Sequence, residues 1–212
     1  AKTAGLGAGV AYNEIENKTK AYVRSSQLNG ASLSVAADST STIKTIAAGG
    51  AGGSKLAVAA GVSVNEIANT IDAKVSDSQV STTGSVSVTA KDDTTIWALA
   101  GNVAGAGKVA LGASIGYNNV DTDVKAHIDG ATTTVNSTGG HVQVLADSTT
   151  EIRAISAGGQ GAGKVAIGGS VSINEYGNDV FAYVGAGTSV TADGSVTIQA
   201  VDAADFLLIA GV

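Results

Sequence analysis

Residues 54–75 read SKLAVAAGVSVNEIANTIDAKV and residues 162–184 read AGKVAIGGSVSINEYGNDVFAYV. Aligned on the asparagine after VSV or VSI, the two stretches are the same sentence written twice, and two more copies stand at VAYNEI and IGYNNV. The anchors are Asn13, Asn65, Asn118 and Asn174, with spacings of 52, 53 and 56 residues. A second ladder of alanines, Ala37, Ala90, Ala146 and Ala200, runs in step at spacings of 53, 56 and 54. Self-similarity of this length marks a stacked repeat, in which no unit buries its own apolar face and neighbours supply the core.

Length changes are confined to one part of each copy. From Ala47 to Asn65, Ala100 to Asn118 and Ser156 to Asn174 the separation is always 18 residues, whereas the stretch from each Asn to the next ladder alanine runs from 24 to 28. The insertions fall in SSQLNG, SDSQVSTTG, DGATTTVNSTGG and GAGTSVTADG, polar and turn-rich as exposed loops should be. The repeats divide as 1–47, 48–100, 101–156 and 157–212 of a single segment.

The period within a copy is two. Val109, Leu111, Ala113, Ile115 and Tyr117 fall on one side and Ala110, Gly112, Ser114 and Gly116 on the other, which is strand alternation. Each copy also divides into two related halves, Val62-Ser-Val to Val75 and Val86-Ser-Val to Leu99. One turn of coil then takes roughly 26 residues, and the chain reads as all-β: a right-handed parallel β-helix, or β-solenoid. Its four repeats of ~53 residues, each a double rung, give ~8 rungs and a stack of ~38 Å.

Alternation also predicts an outward face of small residues on the long strand: Gly5, Gly7 and Gly9; Ala57, Ala59, Gly61 and Ser63; Ala110, Gly112 and Ser114; Ala166, Gly168, Ser170 and Ser172. Glycine in a strand marks close approach by another backbone or a ligand. This face is the candidate interaction surface, for a second sheet, another copy or a saccharide. Asn13, Asn65, Asn118 and Asn174 are read as a hydrogen-bonded amide ladder at strand-end corners, where asparagine tolerates the left-handed conformation. Glu14, Glu66 and Glu175 follow them, but Asn119 breaks that column, which does not suit a catalyst.

Composition narrows function by exclusion. The 212 residues include 29 Gly, no Pro, no Cys and 4% aromatics, with a formal net charge of −6. No clustered basic patch suggests a nucleic-acid partner or an anionic membrane surface, and lack of cysteine means no disulfide framework and no thiolate chemistry. Membrane insertion is not expected: the aromatic girdles of a membrane barrel are missing, and outward Gly and Ser do not suit lipid. With no signal peptide, no run of 18 apolar residues and no initiator Met, the chain is expected to be a piece of a longer one.

Several motifs imitate sites. Gly158 to Lys164 has the spacing of a phosphate-binding loop, but Val165 stands where Ser or Thr is required and a strand follows. Lys55, Lys108 and Lys164 are read as solvated strand-start residues. His127 and His141 lack partners for a metal centre, and His127 is expected to be exposed. Asp92 with Asp93 and Asp121 with Asp123 belong to no calcium loop and are read as corner residues. Trp97 is an outward strand residue able to stack on sugar. No catalytic residue, cofactor or metal site is expected.

The segments quoted at the start, with GSVTIQA and GSVSVTA after them, resemble the β-helical repeats of very large bacterial surface proteins. These are the filamentous-haemagglutinin-like adhesins and filamentous leukotoxins exported by two-partner secretion. The resemblance covers essentially the whole chain. It implies a right-handed β-helix, an extracellular cell-surface location and a stalk role. The expected function is a structural fibre segment of an adhesin or surface filament. Its partners would be neighbouring repeats, other copies or surface glycans. The alternative is a carbohydrate-binding or carbohydrate-cleaving β-helix protein.

Overall fold

A computed structural model describes residues 3–211. Twelve strands follow one another with no helix among the described residues. They are β1 (Ala4–Arg24), β2 (Gln27–Gly30), β3 (Leu33–Gly53), β4 (Leu56–Ser76), β5 (Gln79–Thr82), β6 (Val86–Ala106), β7 (Val109–Asp129), β8 (Thr134–Ser137), β9 (Val142–Ala162), β10 (Val165–Val184), β11 (Ser189–Ala192) and β12 (Val196–Gly211). Three parallel four-stranded sheets result: β1-β4-β7-β10 and β3-β6-β9-β12, which are broad, and β2-β5-β8-β11, which is narrow. The chain is a parallel β-solenoid.

Register fixes the size of a rung. Asn13 pairs with Asn65, Asn65 with Asn118 and Asn118 with Asn174. One full repeat therefore makes one turn, and the expected half-repeat turn is corrected. There are four rungs, not about eight, and at ~4.8 Å per rung the stack is ~19 Å deep. The two similar halves of each repeat are the two broad walls of the same rung, facing each other. Most of the broad strands run for 21 residues, far beyond the usual 3–10. A chain without proline offers no break in the ladder.

The variable segments hold the narrow third wall. Its strands are four residues each, with Val80 and Val135 buried, so the length changes are absorbed at the corners on either side. The corner after the first broad strand turns through a left-handed residue, Ser25, Asp77 or Gly130, with φ of 49°, 48° and 96°.

The cross-section is a wedge, set by the size of the inward residues. Near Ser54-Lys55 the broad walls nearly touch: a Cβ on Gly7 would fall on the carbonyl oxygen of Gly50, and one on Gly61 on that of Gly101. Ala57, Ala59, Ala104 and Ala110 occupy the same thin stretch in the inner rungs. Ile43, Ile67, Ile96, Val120 and Ile152 fill the middle. Against the narrow wall the walls have separated enough for Ile71, Val75, Val88, Val124 and Val144. Each such branched side chain contributes roughly 1.5–3 kcal/mol on burial.

Candidate functional site

The predicted asparagine ladder exists, in a different place. Asn13 Nδ2 donates to Asn65 Oδ1 (2.9 Å), Asn65 to Asn118 (2.7 Å) and Asn118 to Asn174 (2.7 Å). The four lie in mid-strand, pointing into the core, and none has a positive φ. The ladder also ties the walls together: Thr45 on the opposite wall donates to Asn65 Oδ1 (2.6 Å) and accepts from Asn13 (2.7 Å). A solvated strand-end corner is thus replaced by a dry polar seam, which needs every partner supplied from within.

Four residues on along the strand runs a second seam that sequence reasoning missed. Asn69 Nδ2 donates to Asp92 Oδ1 (2.9 Å) and Ser41 Oγ (3.0 Å), Thr94 donates to Asp92 Oδ2 (2.7 Å), and Asn178 donates to Ser148 (2.9 Å). The signal was in the sequence, as N-x-x-x-N at Asn13, Asn65 and Asn174. Asp92 is no corner residue. It is buried between the walls, and burial pushes its carboxyl pKa up against the hydrogen bonds from Thr94 and Asn69.

The candidate interaction face is inverted. Ala57, Ala59, Ser63, Ala110 and Ser114 are buried in the seam between the broad walls. Gly5, Gly7, Gly9, Gly61, Gly112 and Gly168 sit where a Cβ would meet the opposite wall. Ala166, Ser170 and Ser172 share that inward register in the open terminal rung, where Ser170 donates across to Gly211 O (2.6 Å). The large residues point outward instead: Leu6 is 79% exposed, Val10 74% and Ile167 59%. Closely approaching walls accept only small side chains, so the apolar ones are displaced to the surface.

The remaining sequence candidates scatter over the outer walls. Glu14, Glu66 and Glu175 form an outward-facing column with Asn119, exposed in the end rungs and half-buried in the inner two. Tyr12 donates to Glu14 (2.9 Å) and Tyr117 to Glu175 (2.8 Å), and these hydrogen bonds to the carboxylates raise both phenol pKa values. His127 faces outward but is covered. Its Nε2 lies 3.0 Å from Asp72, its Nδ1 3.0 Å from Asp129, and Tyr183 stacks on the ring at 4.9 Å. His141 accepts at Nδ1 from the backbone N–H of Ser195 (2.9 Å) at an exposed corner. Asp93, Asp121 and Asp123 lie on outer walls, with Asp123 paired to Lys125 at 2.7 Å. No cluster of three or more His, Cys, Asp or Glu among the described residues is placed to hold a metal ion. The Gly158–Lys164 segment runs along β9 into a corner and then a strand, so no helix end is offered to a phosphate.

Trp97 lies in an apolar groove on the outer face of the second broad sheet. Ile46, Leu99, Ile155 and Leu207 line it, with Lys44 and Arg153 at the rim. The Arg153 guanidinium lies 5.6 Å from the indole centroid and also pairs with Glu151. No family model, curated protein or solved structure matches this chain.

Proposed function

We propose that the chain is a structural segment of a bacterial extracellular filament or adhesin stalk, as the resemblance of its repeats implies. The observation that carries this reading is the open edge at each end. β1 and β3 on one side, and β10 and β12 on the other, have a paired neighbour on one flank only, so further rungs can be added in the same register. Load along the stack would be borne by continuous backbone ladders and by the amide ladder beneath them. At ~4.8 Å of length per 53-residue turn, such a segment devotes its chain to broad walls as well as to reach.

End-to-end growth is the test. Sedimentation velocity over a rising concentration series should show species larger than the single chain, and end rungs blocked by proline, Val10→Pro with Val171→Pro, should abolish them. A strictly monomeric chain at the highest concentration would refute the reading. Carbohydrate binding is a second reading, favoured by the half-exposed Trp97 beside Arg153. Saturable glycan binding lost in Trp97→Ala would support it.

A further inference from the structure

We propose that the thin half of the wedge is a lipid-embedded blade, its tip lysines meeting anionic headgroups. The inference shares only end-to-end stacking with the stalk reading and starts from the inverted face. With small residues turned inward, both outer surfaces of the thin half carry apolar side chains or none. On the first broad sheet the columns Leu6, Val58, Leu111, Ile167 and Val10, Val62, Ile115, Val171 run unbroken across the four rungs. On the second, Ile46 is 75% exposed and Val103 67%, and outward glycines such as Gly105 and Gly159 have nothing within 4 Å of a would-be Cβ.

Charge respects the same boundary. Between Lys44 and Glu66 the sole charged residue is Lys55; between Asp93 and Asp121 it is Lys108; between Arg153 and Glu175 it is Lys164. All three lysines are exposed at the two-residue corner where one broad wall turns into the other. Stacked rungs set them in a row at ~4.8 Å spacing, a strip of positive charge at the tip. Where the blade joins the charged half stand Tyr12, Tyr117 and Trp97, beside the Glu column and Arg153. Amphipathic rings at the border of an apolar zone are the arrangement membrane interfaces favour.

Dimensions fit as well. From Thr45 to Gly53 the extended chain spans ~26 Å, close to the ~30 Å thickness of a bilayer's hydrocarbon core. Each face measures roughly 26 Å by 19 Å, or ~500 Å², a patch at the upper end for a soluble monomer, and here there are two back to back. A second copy would cover one face and leave the other wet, whereas lipid covers both. The expectation of no membrane insertion rested on scarce aromatics, on the lack of a clustered basic patch in the sequence and on placing Gly and Ser outside; the last placement is reversed, and stacking gathers the three lysines and the few rings at the two borders.

Lipid tolerates no unpaired backbone. The inner rungs satisfy this, since each broad strand there pairs on both flanks. The outer edges satisfy it only when another rung is added, so insertion is coupled to end-to-end stacking.

The whole 212-residue chain is tested by flotation with vesicles of phosphatidylcholine alone or mixed with phosphatidylglycerol. Its single tryptophan reports depth through quenching by lipids brominated near the headgroup or near the chain end. Binding to the mixed vesicles is expected, with Trp97 quenched by the shallow label and a Trp introduced as Val103→Trp in Trp97→Phe by the deep one. Changing Lys55, Lys108 and Lys164 together to Gln should weaken binding to the anionic vesicles roughly 100-fold. Val103→Glu with Ile167→Glu places charge on exposed positions without disturbing the core. It should keep the β-type circular dichroism and melting temperature and weaken binding on the order of 100-fold or more. Failure of the wild type to float, flotation unaffected by the two glutamates, or a lipid-free dimer that the glutamates dissolve would each overturn the proposal.

Discussion

Replacing Asn65 by Ala tests the buried amide ladder. Asn65 is fully buried and engages four partners: it accepts from Asn13 (2.9 Å) and Thr45 (2.6 Å) and donates to Asn118 (2.7 Å) and Ser63 (3.0 Å). Asn13 and Thr45 still have each other after the change. Asn118 Oδ1 and Ser63 Oγ lose their donor in a place water does not reach. Stranded buried groups cost about 1–3 kcal/mol each, so the variant should lose about 3–4 kcal/mol. Asn13→Ala, in the open first rung where solvent replaces the lost partner, should lose about 1 kcal/mol. Urea unfolding followed by circular dichroism at an unchanged m-value gives both figures. An Asn65→Ala cost under about 1 kcal/mol, or one no larger than that of Asn13→Ala, would refute the reasoning.

Other outcomes follow from the same geometry. Gly61→Val should expose the protein to proteolysis, because its Cβ would collide with the Gly101 carbonyl, while Gly105→Ala, with open space around it, should melt as the wild type does. Deleting residues 56–108, one whole turn in register, should leave a folded three-rung protein. Deleting half as many from the same place should not, and the β signal in circular dichroism separates the cases. Because burial raises the Asp92 pKa above its unfolded value, the folded state holds the proton more tightly and ionisation costs stability as pH rises through the carboxylate range. Asp92→Asn should therefore gain on the wild type as pH rises above about 4, the ordinary carboxylate value, in paired denaturant titrations, and a gap independent of pH would contradict the assignment.

Much of the architecture was legible in the chain. The twin ladders of Asn and Ala gave the period and the parallel stacking, because a fixed interval can be filled only by equivalent positions one turn apart. Two things were not legible, for physical reasons. Alternation such as Val109-Ala110-Leu111-Gly112 distinguishes two faces without saying which is inside; ordinary burial favours Val and Leu, but walls this close admit Gly, Ala and Ser, with Asn102 and Gln160 fitting only opposite glycines. The number of rungs was doubled because both walls of one rung carry the same alternation, and a 21-residue strand lies outside the lengths that sequence patterns usually describe. His127 was misread as solvent-exposed because its cover comes from Asp72 and Tyr183, in the neighbouring rungs. That contact becomes visible only once the register is known.

The orientation of the broad strands underlies both the seam and the blade, and thiol reactivity measures it directly. The chain has no cysteine, so single substitutions report without background. Val103→Cys and Ala104→Cys place a thiol on adjacent residues of β6, one 67% exposed and the other 1%. In the folded protein the thiol at position 103 should react with maleimide at close to the rate of the unfolded chain, and the one at 104 should be protected until urea unfolds it. Protection at 103 with free reaction at 104 would contradict the account.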